Sequence, residues 1–120
     1  MNKNNIVYDK ALDFSVRVVN LYNFLDQKGA AAVMSKQLLR CGTSIGANIH
    51  EAQYAQGKKD FISKLEIALK EASETGYWLE LLYRTKYIDE PSFKSLSSKC
   101  SSLRVMLISS CKTAKQNLDK

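Results

Sequence analysis

The sequence predicts an all-α fold, an antiparallel up-down-up-down four-helix bundle. Three observations carry that expectation. Four stretches repeat apolar residues every three or four positions, the period of a helix with one buried face. One proline and five glycines in 120 residues are too little punctuation for an all-β chain. The breaks between the stretches are short, which makes consecutive helices antiparallel neighbours. A chain of this length forms one domain, 1–120, and buries a core without metal or disulfide staples.

The first helix is expected over about 5–26. Tyr8, Leu12, Ser15, Val19, Tyr22 and Leu25 or Asp26 form its main stripe, widened by Ala11, Phe14, Val18 and Leu21. Gln27-Lys28-Gly29 supplies the stop, with glycine at a left-handed C-cap. The second helix covers about 30–55, with Val33, Leu38, Cys41, Ile45, Ile49 and Ala52 inward. Its middle, Cys41-Gly42-Thr43-Ser44-Ile45-Gly46-Ala47, is nearly all small residues. Two interior glycines cost about 1 kcal/mol each relative to alanine. Because the apolar period runs through unbroken, close approach by a neighbouring helix is the compensation that fits best, ahead of local fraying.

Gln56-Gly57-Lys58-Lys59 ends that helix and Asp60 opens the third, expected over about 60–86. Phe61, Leu65, Ala68, Ala72, Thr75 or Gly76, Leu79 and Leu82 form a near-heptad seam, with Ile62, Leu69 and Trp78 as a second apolar line. Pro91 suits the first turn of the fourth helix, over about 91–118. Phe93, Leu96, Cys100, Leu103, Leu107, Cys111 and Ala114 form its inner stripe. The run 103–108 is apolar nearly all round, with only Arg104 polar, which suggests cover by another subunit.

The net charge is +6, and it is unevenly placed. Residues 1–27 balance at three cations and three carboxylates. Lys28, Lys36, Arg40, Lys58 and Lys59 face only Glu51 in the second segment. Residues 60–90 are acidic, with seven carboxylates against four cations. Lys94, Lys99, Arg104, Lys112, Lys115 and Lys120 then face Asp119 alone. Two basic segments thus flank an acidic one, a pattern suited to a polyanion.

No chemistry stands out. The single histidine, His50, has no second histidine at metal spacing, and Glu-x-x-His motifs are absent. No glycine-rich phosphate loop and no nucleophile turn occur. Cys41, Cys100 and Cys111 are an odd, scattered set, read as buried reduced thiols. The expectation is therefore a non-enzyme without metal or cofactor. No signal-peptide pattern opens the chain and no 18-residue apolar stretch occurs, so the expected location is cytoplasmic, away from the membrane. Asn48 and Glu51, beside the apolar line of the second helix, are read as a satisfied polar pair tying helices together. His50 is read as a surface or oligomer-facing residue. Tyr22, Tyr54, Tyr77, Trp78, Tyr83 and Tyr87 are at helical spacing and are read as core or interface residues, though such rings also stack on bases.

The run Ser35-Lys36-Gln37-Leu38-Leu39-Arg40-Cys41-Gly42-Thr43-Ser44-Ile45-Gly46-Ala47-Asn48-Ile49-His50-Glu51-Ala52 resembles the signature of the bacterial four-helix-bundle proteins of the 23S ribosomal RNA intervening-sequence family. Lys58-Lys59-Asp60-Phe61, Ile67-Ala68, Lys70-Glu71-Ala72, and Glu74-Thr75 before Tyr77-Trp78-Leu79 continue it. The likeness spans roughly 5–118 and is most specific over 36–82. It implies a bundle that assembles into a homopentamer. On the reading of the residues themselves, Gly42, Ser44, Gly46, Asn48 and Glu51 are expected to have structural or oligomer-facing roles. In a related branch, the accessory proteins of diversity-generating retroelements, the pentamer binds a reverse transcriptase and nucleic acid. The segment Glu71-Ala72-Ser73-Glu74-Thr75 departs from the Gly-Ser that many members carry there and resembles a different branch.

Two functions are weighed on this basis. The first is RNA or DNA binding with weak sequence specificity, with phosphate contacts from Lys36, Arg40, Lys58, Lys59, Lys94, Lys99, Arg104, Lys112 and Lys115. The alternative is a protein–protein interaction scaffold, in which the acidic third helix and the apolar turn 103–108 meet protein partners. An enzyme would need a cavity with converging polar groups around Asn48, His50 and Glu51.

Overall fold

Helix ends are set by local hydrogen bonding, and they shift each expected boundary by up to three residues. In the computed structural model, which describes residues 3–25 and 27–118, the elements are α1 Lys3–Phe24, α2 Gly29–Ala52, α3 Lys58–Arg84 and α4 Glu90–Leu118. Asp26, the expected end of the first helix, lies outside the described residues. Gly29 does take a left-handed φ of 57°, yet it begins α2 and does not cap α1. Gln27 caps α1 in its place, with its Nε2 donating to the carbonyls of Tyr22 at 2.7 Å and Leu25 at 2.9 Å. Its Oε1 accepts from the buried Ser35 Oγ at 3.2 Å, which ties the α1–α2 turn to the start of α2.

The α3–α4 turn is built from two complementary caps. Lys86 sits at φ 68°, the Lys86 N–H donates to the Tyr83 carbonyl, and the Tyr87 N–H donates to the Leu82 carbonyl. This is a Schellman motif with lysine where glycine is usual. A left-handed lysine carries a Cβ penalty of about 1 kcal/mol. Lys86→Gly is therefore expected to stabilise the protein by about 0.5–1 kcal/mol in a urea melt. Unchanged or lower stability would show that this turn carries no strain. Across the turn, Asp89 Oδ1 accepts from the Ser92 N–H at 2.9 Å and caps α4. That bond holds the Asp89 carboxyl below the usual carboxylate range.

Each helix runs antiparallel to its sequence neighbours. Val18 of α1 meets Gly42 of α2 while Tyr8 meets His50. Glu51 reaches Lys64 and Arg40 reaches Glu74 between α2 and α3. Lys115 reaches Glu66 and Tyr83 stacks on Phe93 between α3 and α4. Arg17 meets Ser95 to close the ring, and this α1–α4 seam is the thinnest of the four. The diagonal helices do not approach one another closely among the described residues. The result is a bundle about 51 Å long and 23 by 21 Å across.

The core is apolar and continuous. Phe14, Leu38, Ile45, Ile49, Leu65, Leu79, Leu82, Leu103 and Leu107 are fully buried. Each such side chain contributes about 1.5–3 kcal/mol of transfer free energy. The seam of α3 and the inner stripe of α4 lie mostly where the sequence put them, with Thr75 buried and bonded to the Glu71 carbonyl at 2.7 Å. Phe61, Phe93 and Ala114 stay at its margin, half-buried. Two expectations need correction. In α1 the buried stripe is Val7, Ala11, Phe14 and Val18, whereas Leu12 and Val19 of the expected main stripe are exposed. In α2, Val33 is exposed and Met34 takes its place inside.

All three thiols are free and buried. Burial pushes Cys100 up to about 11 and raises Cys41 and Cys111. These cysteines fill space and are poor nucleophiles at neutral pH.

Candidate nucleic-acid interface

The nine expected phosphate-binding cations do not share one face. Arg40 is held by Glu71 and Glu74 of α3 and by Gln37 of its own helix. Lys94 pairs with Glu90 at 2.8 Å and Lys115 with Glu66 at 2.9 Å. In both pairs the hydrogen bond to the carboxylate is the main cause of the raised lysine pKa. The acidic third helix thus neutralises Arg40 and Lys115, while Glu90 neutralises Lys94. Lys58 donates its Nζ to the Asn117 carbonyl at 3.3 Å, where the start of α3 meets the end of α4. Lys36, Lys59, Lys99, Arg104 and Lys112 are exposed and make no ion pair among the described residues. Of these, Lys99 lines the α1–α4 groove and Arg104 a hollow between α3 and α4.

A positively charged groove includes two cations absent from the expected set. The thin α1–α4 seam opens a groove of about 140 Å³ lined by Lys10, Asp13, Phe14, Arg17, Lys99, Ser102 and Leu103. Three cations face one carboxylate there, over a floor of core side chains. Arg17 is oriented by a 2.6 Å bond from its Nη1 to Ser95 Oγ. None of the three cations makes an ion pair among the described residues. The balanced charge of residues 1–27 hid this site, but one signal was available. Lys10 and Arg17 are seven residues apart, two helical turns, and so share a face.

The small residues of α2 lie against α1. A Cβ built on Gly42 would stand 3.0 Å from both γ-carbons of Val18, and one on Gly46 would stand 3.4 Å from Ser15 Oγ and 3.6 Å from the Ala11 backbone. Ser44 Oγ and Asn48 Nδ2 bond carbonyls of their own helix, at Arg40 and Ser44 respectively. Glu51 pairs with Lys64 at 3.2 Å. Asn48 and Glu51 therefore do not bond each other, and only Glu51 ties two helices. His50 lies between the rings of Tyr8 and Tyr54, with centroids at 5.7 and 5.3 Å. No group of three or more potential ligands able to hold a metal ion occurs among the described residues. No helix among them is long and apolar enough to cross a membrane.

Among the described residues, apolar side chains are exposed in a row on α1 and in a pair on α4. Leu12, Val16 and Val19 are 48%, 53% and 39% exposed along α1, beside a shallow depression shared with Thr43, Ala47 and His50 of α2. On α4, Val105 and Ile108 are 66% and 49% exposed, within the turn that read as apolar all round.

Residues 3–109 match the family model described as 23S rRNA-intervening sequence protein. The chain is also similar to a solved structure of a protein with unknown function from the S23 ribosomal protein family of Bacteroides thetaiotaomicron. The two share 56% identity, with 92% of this chain and 99% of that one covered and a TM-score of 0.88. No curated protein matches the sequence.

Proposed function

Because this chain belongs to the 23S rRNA-intervening sequence protein family, we propose that it is a non-enzymatic, cytoplasmic, homo-oligomeric bundle, pentameric when assembled, that binds RNA or DNA through its basic surface. The observation that carries the reading is that five of the nine expected phosphate-binding cations, Lys36, Lys59, Lys99, Arg104 and Lys112, are exposed and make no ion pair among the described residues, with Lys10 and Arg17 joining Lys99 in the groove. Lysines and arginines in that state gain from phosphate contact by releasing counterions, and phosphate contacts carry no sequence information. Binding is therefore weakly sequence-specific and strongly salt-dependent. The apolar stripes on α1 and α4 support self-association, since exposed apolar patches with a polar rim mark interfaces.

The test is a gel-shift titration with labelled single-stranded RNA and DNA of unrelated sequences. Five contacts to a single strand give an expected loss of about 100-fold in affinity between roughly 50 and 200 mM salt. Salt-independent binding, or none at low salt, overturns the reading. The exposed Val105 and Ile108 favour the protein-scaffold reading as second choice. A pulldown whose captured proteins persist after nuclease treatment would support it.

A further inference from the structure

We propose that the α1–α4 groove is where a bound strand seats its phosphodiester backbone, with Lys10, Lys99 and Arg17 forming one row of phosphate contacts. The inference rests on the nucleic-acid reading and assigns it to one place on the bundle. Charge placement is the first argument. Arg40, Lys94 and Lys115 are engaged by carboxylates, while the groove gathers three unengaged cations against Asp13 alone. Geometry is the second. Lys10 and Arg17 are separated by about 10 Å along α1 at roughly 1.5 Å per residue. Arg17 contacts Ser95, and α4 runs antiparallel to α1, so Lys99, one turn beyond Ser95, sits between their levels.

Preorganisation is the third argument. The Ser95 hydroxyl accepts from the Arg17 guanidinium, which fixes the fork while leaving four of its five N–H donors for a phosphate. Ser102 adds a hydroxyl donor at the rim. The floor, Phe14 and Leu103, is core and does not yield, so the groove keeps its shape when unoccupied. Asp13 is the one group that opposes an anion.

The experiment is fluorescence anisotropy with a labelled single-stranded 15-mer of RNA at several salt concentrations. The groove pair Lys10→Ala/Lys99→Ala is compared with Lys28→Ala/Lys70→Ala, two exposed lysines outside the groove and outside the expected phosphate-binding set, which removes the same charge. The groove pair is expected to lower the slope of log affinity against log salt by about 1.4, and the affinity by about tenfold or more. The outside pair is expected to change both by less than half as much. Asp13→Asn is expected to tighten binding about threefold by removing the one repulsive charge. Equal losses from the two pairs overturn the inference and leave the general reading standing. So does weaker binding by Asp13→Asn, or a changed assembly mass for the groove pair in light scattering. An absence of wild-type binding overturns both.

Discussion

Replacing Gly42 by leucine is expected to destabilise the bundle by about 2–3 kcal/mol, the scale of overpacking in a closed core. The same kind of change at Gly76, to alanine, is expected to stabilise it by about 1 kcal/mol. Both glycines are in helix interiors, and both lose helix propensity relative to alanine. What differs is the neighbour. A Cβ at Gly42 would meet both γ-carbons of Val18 at 3.0 Å, and Val18 is fully buried and β-branched. Such a side chain has one favoured rotamer in a helix and cannot swing aside. A Cβ at Gly76 meets nothing within 4 Å. Chemical denaturation followed by helix circular dichroism measures both. A Gly42→Leu variant within about 0.5 kcal/mol of wild type would mean that α1 and α2 do not approach as closely as the glycines allow. Val18→Ala in the Gly42→Ala background should recover part of any loss, and the double-mutant cycle isolates that contact.

The glycines show what the sequence made legible. The unbroken apolar period through Cys41–Ala47 required that something lie against the small residues, and α1 does. Helix number and order followed from period and punctuation. The face of α1 did not, because α1 is apolar on two sides. Val7, Ala11, Phe14 and Val18 make one stripe and Leu12, Val16 and Val19 the other, and both fit a helical period. The choice falls to the stripe carrying Ala11, whose small side chain lets the α1 backbone close on Gly46. A single-helix pattern cannot contain that information, since it belongs to a pair of helices. The candidate site was hidden for the same reason. Lys99 was expected to contact phosphate, but its partners Lys10 and Arg17 come from the opposite end of the chain. Conversely, Arg40 and Lys115 looked free in sequence and are taken up by α3, whose carboxylates face both neighbours.

The second stripe of α1 leads to the other large expected effect. If the protein assembles as the proposed pentamer, Leu12→Glu/Val16→Glu is expected to reduce it to single chains of 13.5 kDa in light scattering, from five times that mass. Both side chains are about half exposed, so the substitutions cost little within one subunit. At an interface, each buried unpaired carboxylate costs several kcal/mol, enough to dissociate an assembly held at micromolar affinity. The helix melt is then expected to keep its single transition. Val105→Glu/Ile108→Glu on α4 should have the same effect if the ring is built head to tail, with the α1 flank of one subunit on the α4 turn of the next. A head-to-tail contact uses two different patches and can close into a ring, whereas a two-fold contact uses one patch twice. Mixing the two variants separates these cases. Each retains one intact patch, so a head-to-tail interface gives pairs of unlike chains that cannot grow further. A two-fold interface through either patch gives pairs of like chains in one of the unmixed variants. Full assembly by Leu12→Glu/Val16→Glu would remove the α1 stripe from the interface altogether.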